Sequence, residues 1–378
     1  MRNCLLANAA CAAGLLWGST SMAQQGADWR EAARTYLDAR MARWLEFPHA
    51  KAHAGDQTRC ISCHTAVPMA IARPRLGTMS PVLESMLGHI RRRVARWDEI
   101  ASFNGEDGDG PIQPFYNLDS AGTTKQGAMA TEAVLNALVL THADSRGADG
   151  ALSEATQRAL AILWSTQNEG GSWNWLNFNL RPWEKDAEYL GAAWAAMAIG
   201  KAGEAYIEGL SEADRAKLDK LRAYPNERYD QESLHNRLAA LWAATLLDGV
   251  LDAPGRRQAL IDETLALEGE ADGWALTSLA KRPNNTATWT ARHKVPASAA
   301  HDGYATAYVV HVLKRAGAAH PKLDRATAWL GQQQVAAGRG PAIYLNKERD
   351  PDAPGAMVGR FMHDAAAAHA VLALTHGE

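Results

Sequence analysis

Two thiols three residues apart, followed at once by an imidazole, stand at Cys60, Cys63 and His64 in the stretch TRCISCHTAVP. Thiols separated by two residues can reach the two vinyl groups of one porphyrin. A histidine directly after the second thiol then meets the iron from the proximal side. This Cys-x-x-Cys-His spacing is the attachment signature of a c-type haem. A short disulfide is the competing use of the two thiols in an exported chain. A zinc site would need a second ligand pair at suitable spacing, and none follows. On the haem reading Cys60 and Cys63 form thioethers, His64 is the proximal iron ligand, and the expected cofactor is covalent haem c.

The distal iron position is open. Met69, Met79, Met86, His49, His53 and His89 lie nearby in sequence, and RFMHDAAAA offers Met362 and His363 from far along the chain. A methionine ligand would raise the potential and favour electron transfer, whereas an open position would admit peroxide or oxygen. Each methionine can equally serve as core filling.

The N-terminus gives the compartment. MRN is a short basic start, CLLANAACAAGLLWG an apolar run too short for a bilayer span, and STSMA ends in small residues. This pattern predicts a secretory signal peptide over 1–23, cleaved after Ala23, and a periplasmic or secreted chain. Cleavage removes Cys4 and Cys11 and leaves only the two motif cysteines. No later run has spanning length, so no transmembrane segment is expected in the mature chain. A net charge of -3 over 378 residues argues against a nucleic-acid partner. The basic run HIRRRVAR falls within a helical pattern and reads as a solvated face.

The elements that must position the motif are helical throughout. Five segments are Ala-rich and apolar on most sides: TEAVLNALVLTH, DAEYLGAAWAAMAIGKAG, ESLHNRLAALWAATLL, DGYATAYVVHVLKRAG and HDAAAAHAVLAL. Such helices are buried. Between them lie amphipathic, charged segments: SEATQRALAILWSTQ, SEADRAKLDKLRA, PGRRQALIDETLAL and PKLDRATAWLGQQQ. Several open on Ser or Pro, which are helix-entry signals. Buried and exposed helices therefore alternate, as in a long-period array of helical hairpins. The predicted organisation is a helical haem-binding segment over 24–119 and an all-α hairpin domain over 120–378. One amphipathic helix, SPVLESMLGHIRRRVARWDEI, is expected before the connector NGEDGDGPIQP. So small a segment buries too little surface to enclose a porphyrin alone, so it is expected to lie against the larger domain.

A detail recurs at the ends of the amphipathic helices. ILWSTQNEGGSW carries Leu163, Gln167, Gly171 and Trp173; WLGQQQVAAGRG carries Leu330, Gln334, Gly338 and Gly340 at the same spacing; LALEGEADGW keeps Gly273 and Trp274. Glutamine would bind backbone at the helix end, glycine would turn the chain, and tryptophan would stack on the next helix end. The pattern resembles the QW repeat of the squalene–hopene cyclase and protein prenyltransferase superfamily over residues 120–378. The whole chain is similar to bacterial squalene-cyclase-like proteins that join a CxxCH segment to a toroid. The stretches that carry this are CISCHTAVPMAIARP, TEAVLNAL, GSWNWLNFNLRPWE, LHNRLAALWA, DGYATAYVVHVL and FMHDAAAAHAVLAL.

The resemblance implies an (α/α) toroid able to bind an apolar, isoprenoid-like compound. It does not extend to the superfamily's established chemistries. A hopene-type cyclase needs an acidic DxDD motif, and none occurs; Asp107 and Asp109 in GEDGDG read as a loop. The zinc-dependent prenyltransferases need a Cys/His/Asp site, and both mature cysteines are committed to the haem. Polar residues at the starts of buried helices could ring one mouth of a toroid: Glu132, Asp186, Glu188, His235, Asp302 and Asp364. They could equally be caps and first-turn acids. NWLNFNLRPWE, with Trp173 just before it and Trp175, Arg181, Trp183 and Glu184 within it, is the candidate cavity rim. Three functions remain open: a haem oxidoreductase acting on an apolar compound, an electron-transfer or sensing cytochrome with a periplasmic partner, and a terpene-cyclase-like enzyme with a structural haem.

Overall fold

The structure is a computed structural model that describes residues 22–48, 50, 58–77, 79–99, 124–147, 150–177, 181–184, 187–267, 273–284, 286, 289, 301–345, 350, 352–353 and 357–377. Most of the expected signal peptide, His49, His53, Asp107, Asp109 and Asp186 lie outside these residues.

The described residues form helices and no strands. The N-terminal part contributes α1 (Met22–Glu46), α2 (Ala66–Ala72) and α3 (Pro81–Ala95). The apolar Ala-rich segments become α4 (Lys125–Asp144), α6 (Glu188–Ala202), α9 (Leu234–Ala244), α11 (Gly303–Arg315) and α13 (Phe361–Leu374). The amphipathic segments become α5 (Glu154–Ser165), α8 (Glu212–Arg228), α10 (Arg256–Leu265) and α12 (Pro321–Ala337); α7 (Glu204–Glu208) is a short link. The entry signals act as expected. Ser80, Thr124, Ser153, Ser211, Ser233 and Asp302 each accept a backbone N–H three residues on. Such caps are each worth about 1 kcal/mol.

The contacts follow the alternation in the sequence. Helix α4 packs on α6, α6 on α9, α9 on α11 and α11 on α13. Helix α13 then packs on α2, and α2 on α4. Each amphipathic helix covers one or two of these: α5 lies on α4, α8 on α6, α10 on α9, and α12 on α11 and α13. Helix α1 lies against α12, α13 and α2, and α3 against α1, α4 and α5. The helix that follows the Cys-x-x-Cys-His motif thus sits between the first and last of the Ala-rich helices.

The recurring Gln/Gly/Trp detail has one mechanical role at two places. Trp173 donates its indole N–H to Leu163 O at 3.0 Å, and Trp274 donates to Thr264 O at 2.9 Å. Both reach back ten residues to the last turn of the preceding amphipathic helix. Gln167 Nε2 donates to Gly171 O and, on the neighbouring hairpin, to Lys217 O at 3.1 Å. Gly171 has φ +92°, and a Cβ there would collide with the Lys220 carbonyl. Trp173 is fully buried. Trp173→Ala is therefore expected to cost at least about 3 kcal/mol. Urea unfolding measures this, and an unchanged midpoint would remove the structural role assigned to the repeat.

Candidate functional site

The motif is held from both ends by buried polar contacts. Between the cysteines, Ser62 Oγ accepts from Ala66 N at 2.9 Å and caps α2. That releases Thr65, which precedes α2 yet makes no side-chain cap. Its hydroxyl instead donates to Asp364 Oδ2 on α13 at 2.8 Å and contacts His64 Nδ1 at 2.9 Å. Asp364 also accepts from Arg40 Nε at 2.7 Å, Arg40 Nη2 at 2.9 Å and Tyr36 OH at 2.9 Å, both donors lying on α1. Burial pushes the Asp364 carboxyl up, and the Arg40 hydrogen bonds and charge pull it back.

This network fixes the tautomer of His64. Thr65 spends its one proton on Asp364, so it must accept from His64. The proton then sits on Nδ1, and Nε2 carries the lone pair. Metal-binding histidines are oriented in this manner, with the second ring nitrogen donating towards an oxygen outside the ligand set. Burial, reinforced by the Arg40 charge, lowers the His64 pKa to about 3, so the ring is neutral. Phe361 stacks on it at 3.6 Å between centroids, and Trp44 and Trp183 flank it at 5.9 and 6.1 Å.

At the other end, Trp44 Nε1 donates to Cys60 O at 2.8 Å. Arg93 on α3 reaches Thr58 Oγ1 at 3.3 Å and makes a 2.7 Å buried pair with Glu132 on α4. Burial raises the Glu132 carboxyl to about 7 against the pull of Arg93. Cys60 and Cys63 are both buried, and no disulfide joins them. Burial pushes Cys60 up to about 12 and Cys63 well above its ordinary value. Thiol–disulfide exchange needs a thiolate, so this environment disfavours a thioredoxin-like role.

One cavity adjoins the site, and a second opens at the helix starts. Cys63, Val67, Ile71, Trp194, Tyr304 and His369 help to line an interior cavity of about 20 Å³. A vestibule of about 700 Å³ opens where α4, α6 and α9 begin; its walls include Trp175, Trp289, Tyr224, Glu188, Glu232 and Arg228. The latter volume is in the range of small-molecule sites.

The other residues singled out in the sequence are scattered. Met69 and Met86 are buried on α2 and α3, Met79 is exposed, and His89 on α3 meets Arg92 at 2.9 Å. Met362 and His363 are buried beside Phe361, but Phe361 and Asp364 are the α13 residues that engage His64 and Thr65. Trp175 lines the vestibule and donates to Trp183 O at 2.6 Å. Arg181 lies in the turn before Trp183 and Glu184. Glu184 is buried, and burial alone lifts it to about 8. Asp302 caps α11 and also accepts from Ile343 N at 2.8 Å, so it ties two segments together. Trp173 is core.

Sequence reasoning missed Arg40, Tyr36, Thr65, Trp44 and Phe361. One signal was present. Ala33, Leu37, Met41 and Trp44 form the buried stripe of α1, and Arg40 interrupts it. A charge in an apolar stripe needs a buried partner.

No protein-family model matches the chain, and no curated protein matches it. Among the described residues no cluster of three or more His, Cys, Asp or Glu is placed to hold a metal ion, and no helix is long and apolar enough to cross a membrane. The donor types and spacing are those of a c-type haem site: two thiols separated by two residues and a neutral imidazole directly after the second. The 20 Å³ beside Cys63 is far below a porphyrin's volume, so attachment would have to precede the packing of Phe361 on His64.

Proposed function

We propose that the chain is an exported c-type haem protein on an (α/α) toroid, a redox protein that binds or acts on an apolar, isoprenoid-like compound. The observation that carries this is the His64–Thr65–Asp364 network, which orients a neutral imidazole next to the two buried cysteines. Cys60 and Cys63 would hold the porphyrin and His64 the iron; the haem, when bound, supplies one-electron chemistry. Asp364 and Arg40 keep the ring in its tautomer, and Trp44 and Phe361 exclude water from it. The toroid reading is supported by contacts that return from α13 through α2 to α4. The apolar partner is supported by the Trp175, Trp289 and Tyr224 faces of the vestibule, whose volume of about 700 Å³ is large enough to hold it.

Protein produced with a periplasmic c-type maturation system should keep haem in a denaturing gel and show a c-type reduced α-band. Loss of either cysteine should leave at most one thioether, and loss of both should abolish attachment. A correctly exported, colourless protein with a Cys60–Cys63 disulfide would overturn the reading. A six-coordinate, low-spin spectrum inert to carbon monoxide and peroxide would favour an electron-transfer cytochrome over an oxidoreductase.

A further inference from the structure

The Ala-rich helices end together, and most of them end on bases. Arg146 lies two residues past α4, Lys201 is in the last turn of α6, and Arg315 closes α11. Arg75 lies in the short turn of helix that follows α2. These ends meet in space. Gly200 of α6 lies against Leu246, just past α9, and Arg315 Nε donates to Thr245 Oγ1 at the end of α9 at 3.0 Å. The vestibule opens at the other pole, where α4, α6 and α9 begin. The cations act on one another: Lys201 feels Arg315, Arg75 and Arg146, and Arg75 also acts on Arg146 and Arg315. Burial first, and then this repulsion, holds Arg146, Lys201 and Arg315 below their ordinary pKa values. A base in a last turn suits the helix dipole, but each helix end supplies only roughly half a negative charge. The ends of α4, α6, α9, α11 and α13 therefore leave a surplus of about +1.5 against Arg75, Arg146, Lys201 and Arg315. Elsewhere the chain pairs its buried cations with acids: Arg40 with Asp364, Arg93 with Glu132, and Arg237 with Glu263. Among the described residues no carboxylate pairs with Arg146, Lys201 or Arg315. The whole chain has a net charge of -3, so composition did not impose this cluster.

We propose that this pole is a binding site for a multiply charged phosphate anion, held by Arg146, Lys201 and Arg315 together with Arg75. Phosphate suits the donors. A guanidinium gives two parallel N–H groups to phosphate oxygens, and an ammonium adds a compact point charge. A single carboxylate carries too little charge to offset the surplus. The anion belongs either to a soluble phosphate compound or to the headgroup of an anionic lipid, since both present the same oxygens. The site is separate from the vestibule and from Cys60, Cys63 and His64, and it stands whether or not those residues carry a cofactor. One anion spanning the ends of α4, α6 and α11 would also tie together helices whose cations otherwise repel, so binding should stabilise the fold.

The test is titration calorimetry of the full-length protein with inorganic tripolyphosphate at low ionic strength. A second arm is flotation with phosphatidylglycerol vesicles, set against phosphatidylcholine vesicles. Lys201→Gln and Arg146→Gln should each weaken binding at least about tenfold, the worth of one charge-assisted hydrogen bond. Neither side chain hydrogen-bonds another described residue, so both variants should fold, and circular dichroism checks this. Arg43→Gln is the control. Arg43 is exposed and pairs with Glu46 at 3.9 Å, so its loss should leave binding unchanged. Tripolyphosphate binding that is lost in the two variants supports the site and assigns it to a soluble phosphate compound. Flotation with phosphatidylglycerol alone, lost in the same variants, supports it and assigns it to a lipid headgroup. No binding in either arm, or binding weakened equally by Arg43→Gln, overturns the proposal.

Discussion

Asp364→Ala is expected to destabilise the protein by about 3–5 kcal/mol, because it leaves the Arg40 guanidinium buried without its counter-charge. Both members of the pair are almost wholly inside the protein: the Arg40 side chain is 6% exposed and the Asp364 side chain 0%. The carboxylate accepts four hydrogen bonds, two from Arg40 and one each from Tyr36 and Thr65. Its loss strands a donor on each. The surface pair Arg158–Asp98 is the control. Its aspartate is 87% exposed, so Asp98→Ala should change stability by under about 1 kcal/mol. Replacing Arg40 and Asp364 together by apolar residues should recover much of the loss, since no charge is then left unpaired. Unfolding in urea gives all of these values. In haem-loaded protein Asp364→Ala should also shift the optical spectrum and reduction potential, because His64 loses the oxygen that fixes its tautomer. A variant as stable as the parent would show that the pair does not anchor the motif.

The repeat of buried and exposed helices was legible because each signal is local. Ala-rich segments mark the inner helices, and Ser and Pro starts mark entries within a residue or two. Trp173 was legible as a helix-end anchor for the same reason. The site was legible only in part. Cys60, Cys63 and His64 announce themselves by spacing, but the groups that hold them come from elsewhere in the chain. Asp364 lies 299 residues from Thr65, and Glu132 lies 39 from Arg93. Such pairings depend on which helices meet, and no local pattern encodes that. Asp364 was noted as a possible first-turn acid, which it is. Its partner was written only as a misplaced charge on α1. His235 reads as a polar residue at the start of a buried helix, and Tyr304 as an ordinary residue of another. The 2.7 Å hydrogen bond between them spans 69 residues, and no local pattern announces it.

Glu184→Gln is expected to make the protein more stable at pH 8 by about 4 kcal/mol and to change it by under about 1 kcal/mol at pH 5. Glu184 is buried beside the motif, and its pKa is raised from 4.5 to about 8 with burial as the cause. The sign is opposite to that of a salt-bridged carboxylate. Below about pH 4.5 the acid is protonated in both states and contributes nothing. As pH rises, the unfolded chain ionises freely while the native state must keep the proton, so stability falls steadily up to about pH 8. Glutamine has the same shape and no proton to lose, so the variant escapes this fall. Glu132 and Asp302, each raised to about 7 by burial, tilt the parent in the same direction. His64 and His235, each lowered to about 3 by burial, tilt it the other way as pH drops below the ordinary histidine range. Those groups are common to both proteins and cancel in the difference. The quantity to measure is therefore the gap in unfolding free energy between variant and parent at pH 5, 6, 7 and 8. A gap that widens with pH places a neutral acid next to Cys63 at physiological pH, where it spares the thiol a neighbouring negative charge. A flat gap would mean that Glu184 is ionised in the native protein and has found a cation.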